Sequence, residues 1–436
     1  MPFMSAQRFF ALGKESPSTR GTTVTPTYWI PISGAPTLSL MVNWLKDEGL
    51  RGSPNTDYGL VPGVRHDEYS FKGNVFLDSF PNLLMGVLGG PDIQTSQSVS
   101  TTVGSSPTAL GVSPAAGVTL PVASSTGFSA GGGTFEITHT IGTTLWTFTG
   151  TYTGTGTNTL TGAVLNTGQG PTGFTGFTPT ATTDAVYGGP PYTHTIGLLN
   201  QAGVSGVGTG YEGSQPPSFT GYDVDNASQS SDTQIAKRFG GAMFTDLDLE
   251  FTADGALTYS SKMMSNAFTE VSSTSVGWNG SSTVFVPAWN GGFSLDGTAN
   301  GTLMSGSINI KRNVAPIHTI NNTQSPYRLW AGPIVVTGKL TFVVENNDSW
   351  MNYGLATSYH SMAISFADPV SSNNMVVTMS KVQLQNPKIE SSKAFLEITA
   401  DFTANGNGTD AVATNGNGGG YSPIKVVVNN NQSTTY

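Results

Sequence analysis

Large apolar side chains recur at every second position through much of this chain. Trp146, Phe148 and Tyr152 alternate with Thr147, Thr149, Thr151 and Thr153, the pattern of a strand that buries one face. The same period marks residues 69–77, 244–251, 306–311, 334–344, 375–384 and 395–402, and clusters of Gly, Asn, Ser and Pro separate the runs, as turns require. The reading is a mainly β protein. Two segments break the period. Phe80, Leu83, Leu84, Val87 and Leu88 form one apolar stripe at helical spacing, with Asp78 and Ser79 ahead as caps and Gly89 and Gly90 behind as a stop. Asp348 and Ser349 likewise precede Trp350, Tyr353 and Gly354, which predicts a second short helix. Both helices are expected to pack these residues against a sheet.

The order of elements repeats. A strand at 39–44, a strand at 71–77 and a helix are followed much later by a strand at 307–312, a strand at 336–343 and a helix, with Ser39 matching Ser307 and Gly73 matching Gly338. Downstream, the paired strands of 244–263 match those of 379–398, with Leu247 on Val382. The spacing reads as two tandem β-sandwich or barrel units, each with a short flanking helix, the first carrying about 130 extra residues. The expected boundaries are an N-terminal arm at 1–24, a first unit at 25–93 and 192–272, a second unit at 273–404, and a low-complexity loop and tail at 405–436 with a short strand at 424–428. Between the pieces of the first unit, residues 94–191 hold Phe128, Phe135, Ile137, Trp146, Phe148, Tyr152 and Leu160 in a Gly/Thr-rich background. That is enough for a small inserted β module.

Composition removes classes of function. With no cysteine there is no disulfide framework, thiol nucleophile or thiolate metal site, and five histidines remain for metal or base chemistry. The net charge is −9, and the 164 residues from Gly73 to Ala236 contain no Lys or Arg while Asp78, Asp92, Glu136, Asp184, Glu212, Asp223, Asp225 and Asp232 are left uncompensated. A protein that grips nucleic acid by neutralising phosphates needs clustered cations. The start of the chain lacks a secretory apolar run, and no window approaches a membrane span, so synthesis in a cytosol without membrane binding is expected.

Motif searches return turns and chance. Gly127, Ser129 and Gly131 match the G-x-S-x-G elbow, but a strand rather than a helix follows, so the match reads as a turn. Gly208, Gly210 and Gly213 match G-x-G-x-x-G without the strand and helix that a dinucleotide site needs. His139 and His194 lie in strands and His66, His318 and His360 are scattered, which reads as structural histidines and not as a metal site. No cofactor and no catalysis are expected. Asp246, Asp248 and Glu250 share one strand face.

Several segments carry a family resemblance. VRHDEYSFKGNVFLDSFPNLLMGVLGG, PYTHTIGLLN, RFGGAMFTDLDLEFTADGALTYSSKMM and RLWAGPIVVTGKLTFVVENNDSWMNYG resemble the major tail tube proteins of long-tailed bacteriophages, over residues 25–93 and 192–405. The resemblance implies a structural virion protein whose β-sandwich or barrel units form rings stacked into a hollow tube. It implies tape-measure, tail terminator and baseplate or tip proteins as partners, and the passage of DNA. A branch with duplicated units makes trimeric rings in place of hexameric ones, and the repeat favours that branch. On this reading Asp246, Asp248 and Glu250 are candidate lumen-facing residues on a wall that DNA must not stick to. Arg8, Phe9 and Phe10 on the N-terminal arm are candidate inter-ring contacts, because exposed aromatics need a partner to bury them. The inserted module is expected to project outward, with Trp146 and Tyr152 in its core in preference to a glycan platform. The competing readings are a carbohydrate-binding or carbohydrate-active tail-fibre protein and a capsid or tail decoration protein.

Overall fold

The computed structural model describes residues 8–436 apart from 50, 52–57, 97–98, 113–116, 167–168, 172, 200–214, 226–234, 273–282, 346–357, 371–372, 392–393 and 413–420. Short strands aside, the elements in chain order are β1 (Phe9–Lys14), β2 (Thr37–Asp47), β3 (Gly59–Asn74), α1 (Phe80–Leu88), β4 (Gly89–Ser96), β5 (Gly133–Ile141), β6 (Thr144–Tyr152), β7 (Thr159–Leu165), β8 (Ala185–Tyr187), β9 (Tyr192–Leu198), β10 (Phe219–Asp225), β11 (Ile235–Thr252), β12 (Thr258–Ser265), β13 (Thr269–Ser272), β14 (Gly291–Leu295), β15 (Leu303–Ile317), β16 (Arg328–Val343), β17 (His360–Ala367), β18 (Asn374–Glu390), β19 (Glu397–Ala404) and β20 (Lys425–Asn430). The protein is mainly β, and the alternating runs of the sequence fall largely inside these strands; the run 69–77 outlasts β3 by three residues and the run 395–402 begins two before β19.

Eight long strands lie side by side, all antiparallel, in the order β2, β3, β12, β11, β15, β16, β19, β18. The pairing rule of the first four is the pairing rule of the last four. In each set a hairpin is followed by the later strand of a second hairpin and then by its earlier strand. The leading halves of β11 and β18 bend out of this sheet into a second layer. There β11 pairs with β10 and β13, and β18 with β17 and β20. β10 in turn pairs with β1, and β17 with β14. One apolar core fills the space between the layers, with Phe10, Tyr69, Phe244, Leu340, Phe342 and Phe402 among its buried side chains.

Register irregularities occupy the same place in both sets. β2 shifts between Val42 and Trp44, and β15 between Arg312 and Val314. β11 shifts between Phe244 and Asp246, and β18 between Gln385 and Lys388. Laid on each other by these bulges, Val42 answers Arg312 and Tyr69 answers Gly338, so the match of Gly73 with Gly338 read from spacing is off by four residues. An even slip keeps every side chain on its face, and for that reason the hydrophobic pattern could not detect it.

Helix α1 ends as expected, on Gly89 at φ 88° with its N–H bonded to the Met85 carbonyl. Its start differs: Ser79 holds the cap position but makes no side-chain capping bond. Phe80, Leu83 and Leu84 pack into the core, yet the burial covers every residue of the helix and not one stripe. A Cβ on Gly86 would stand 2.2 Å from the Phe244 ring, so glycine is what lets the helix lie on β11. Arg312, buried on β15, donates from Nη1 to the Val87 carbonyl at 2.9 Å at the helix end, where positive charge complements exposed carbonyls. Trp350 and Tyr353, and with them the second helix, lie outside the described residues.

Residues 99–187 build their own sheet around a separate apolar cluster that includes Phe135, Ile137, Phe148, Leu160 and Val186. Tyr152 is buried there and Trp146 packs partly against it. β4 leads into this region and β9 returns from it, with β9 lying between β4 and β20 and paired with both.

The N-terminal arm is a correction. Phe9 and Phe10 are buried within the chain's own sheet, where β1 is hydrogen-bonded to β10. Arg8 forms a two-pronged ion pair with Asp223. The Glu15 carboxylate accepts bonds from the Gly21 and Gly241 N–H groups and from the hydroxyls of Ser218 and Thr220, at 2.7–2.8 Å. An aromatic pair close to the chain start looked like an exposed clasp because its β10 partner lies more than two hundred residues away in sequence.

Candidate functional site

The long sheet has one covered face and one polar face. Leu247, Leu249 and Phe251 of β11 point into the core, and Asp246, Asp248 and Glu250 alternate with them onto the opposite face. There Asp246 stands between Lys262 on β12 and Lys311 on β15 in the strand register, while Asp248 lies between Ser260 and Asn309. Farther along, Lys339 sits opposite Asp401. The Asp246 carboxyl is raised from its ordinary range by partial burial and by Asp248, against the pull of Lys311 and Lys262. The triplet is therefore not a bare acidic stripe. Lysine and carboxylate alternate across neighbouring strands on a bed of Ser, Thr, Asn and Gln.

The acids of the Lys- and Arg-free stretch also find partners. Asp223 and Asp225 meet Arg8, and Asp225 also meets Lys237. Asp92 meets His194 at 2.9 Å and Asp184 meets His139 at 2.7 Å. His360 completes the set on Asp296 at 2.7 Å. Each of these histidines ties together segments far apart in sequence, which is a structural use. Among the described residues no three His, Asp or Glu side chains converge as a metal site needs. The Gly127 to Gly131 match is a turn with Gly127 at φ 90°, and Gly208 to Gly213 lie outside the described residues.

What distinguishes the molecule chemically is its pair of sheet ends. β11 is paired on both sides of its trailing half, with β12 and with β15. Its counterpart β18 has β19 on one side of its trailing half, and the first strand β2 pairs with β3 alone among the described residues. At the internal junction Leu249 lies beside Ile308, and Leu247 beside Ile310; Leu249 is 5% exposed and Ile310 4%. The positions that answer them at the two ends are Ile389, 43% exposed, and Leu40, 51% exposed. Apolar residues that alternation would bury thus stand in water where the sheet stops. Periodicity had marked both strands but could not reveal which of them lacks a neighbour.

Among the described residues the long sheet thus ends at each side on an apolar strand edge, the kind of surface to which another strand can add. A family model of phage tail tube proteins matches residues 198–417, just over half of the chain, and the chain belongs to that family. No curated protein matches it significantly. It is a structural component of the phage tail.

Proposed function

We propose that the chain carries two tail tube units in tandem and that three copies close a ring, stacked into the hollow conduit through which the genome leaves. The internal junction carries this reading. β11 joins β15 inside one chain in the manner in which β18 of one copy would join β2 of the next. That contact would bring Ile389 beside Leu38 and Leu40 and satisfy both open edges at once. Head-to-tail contacts of this kind close only if the rotation per step divides a full turn. With two units per chain, three chains supply the six positions of the tube that the family resemblance implies. Mass measurement or class averages of isolated rings are expected to give three chains. Rings of six chains would sink the tandem assignment while leaving the tail tube assignment intact.

Stacking of rings would use the hairpin tips, where Trp44, Leu45, Leu60 and Val61 on one hairpin and Ile317 and Ile320 on the other are exposed. Tape-measure, terminator and tip proteins are the expected partners, with assembly in the host cytoplasm before incorporation into the virion. The inserted module, whose bulk would obstruct a pore, belongs on the outer wall. We read the role as structural and not enzymatic.

The polar face of the long sheet would line the lumen. Its non-stick character comes from neutral hydroxyl and amide groups and from lysines held beside carboxylates, and not from net negative charge. Replacing Asp246, Asp248 and Glu250 together with their amides is expected to leave Lys262 and Lys311 uncompensated and so to give the wall affinity for phosphates. DNA release from triggered virions should then slow, most at low salt. Release at the wild-type rate at low salt would remove these residues from the lumen.

A further inference from the structure

Glu136 is a buried carboxyl without a hydrogen-bond partner in a module that holds no lysine. It lies on β5 between Phe135 and Ile137, which both point into the module's own core. Alternation therefore turns Glu136 to the opposite face, where a charged side chain would normally be solvated. Yet it is fully buried, and neither carboxylate oxygen has a hydrogen-bond partner.

On that side the module meets Asp368 and Val370, which follow β17. Glu136 sits opposite Thr149 in the β5–β6 register. The Thr149 carbonyl and hydroxyl accept bonds from the backbone N–H and side-chain amide of Asn166, and that amide also donates to the Val370 carbonyl at 3.3 Å. Val370 belongs to a turn closed by Asp368, whose Oδ1 accepts the Val370 N–H at 2.8 Å. Asp368 and Asn373 of this turn are themselves buried. A carboxyl group of the module and one that follows β17 are thus both buried, near enough for Asp368 to disfavour charge on Glu136. Among the described residues, the titratable group beside Glu136 on β8 is Tyr187, whose own ionisation is disfavoured by burial and by Tyr192.

We propose that this contact is a proton-operated latch: the module docks on the β17–β18 turn while Glu136 is neutral and is released when Glu136 ionises. Burial, with repulsion from Asp368 second, pushes the Glu136 carboxyl up to about 8. In an undocked module that carboxyl would titrate near the ordinary glutamate value of about 4.3. Because the docked form holds its proton more tightly, docking is strongest at low pH. It weakens about tenfold per pH unit as pH climbs above the free value, and levels off past about 8, a total of roughly three to four orders of magnitude.

The absence of native cysteine makes the test direct. Spin labels on Leu145→Cys, exposed on the module, and Asp254→Cys, exposed on the β11–β12 turn, report the distance between the two in the full chain. Wild-type background is expected to give one narrow distance at pH 5 and a broad, longer distribution at pH 9.5. Glu136→Gln, which cannot ionise, should hold the narrow distance at both. Asp368→Asn serves as a second variant should the first not fold, and it should move the levelling-off to lower pH. Identical distributions for wild type at the two pH values would overturn the latch. So would closure driven by added calcium and insensitive to pH, which would make the two carboxyls a cation site instead.

Discussion

Full-length protein carrying Ile389→Asp is expected to remain a folded monomer and to form neither rings nor tubes. The side chain stands in water at the open end of β18, and surface substitutions usually change stability by no more than about 0.5 kcal/mol. At the proposed junction the same aspartate would be enclosed against Leu38 and Leu40 without a cation. Burying an unpaired charge costs several kcal/mol, and the cost recurs at every junction of the ring. An association constant at least a hundredfold weaker per junction is the expected result, read by sedimentation and by negative-stain microscopy. Leu40→Asp should do the same from the other edge. Leu249→Asp is the matching control: it answers Ile389 but is already buried inside the chain, so it should prevent folding. Tubes of normal length from Ile389→Asp protein would mean that the rings close elsewhere.

Removal of the first 20 residues is expected to prevent folding, and not merely polymerisation. Phe10 is fully buried, with the Phe71 ring at 4.7 Å and the Phe239 ring at 6.2 Å. Phe10→Ala alone should therefore cost about 3–5 kcal/mol in chemical denaturation, the usual range for a large aromatic removed from a core. The truncation adds the loss of the β1 pairing with β10 and of the Glu15 carboxylate, which would leave two hydroxyls and two backbone N–H groups without their acceptor. A soluble truncated chain with wild-type unfolding and no tubes would restore the arm to an assembly role.

The strands and α1 were legible because each side chain's face follows from its own position in a period of two or 3.6. Tyr69 and Gly338 as counterparts were not, because a register slip of four leaves every face unchanged and only the bulges expose it. The candidate site was legible in part. Asp246, Asp248 and Glu250 were correctly put on one face, but their lysines, Lys262 and Lys311, lie on other strands and become neighbours only through pairing. Arg8, Phe9 and Phe10 were misread for the same reason. Leu40 and Ile389 carried no sequence signal at all, since an edge strand and a central strand share one pattern. Glu136 carried a faint one, a single carboxylate between Phe135 and Ile137 in a stretch without cations.

The sequence by itself determined the β class, the alternation that gives the long sheet one apolar face, the absence of thiol chemistry and the long stretch without Lys or Arg. These depend on residue type and local spacing, and no tertiary contact can change them. The tertiary structure alone decided which strands end the sheet, and which acids of the Lys- and Arg-free stretch gain partners. Asp223, Asp225, Asp92 and Asp184 are paired by Arg8, Lys237, His194 and His139, and Glu136 is not. Charge compensation is a matter of distance in space, and antiparallel pairing brings together residues that the chain keeps up to hundreds of positions apart.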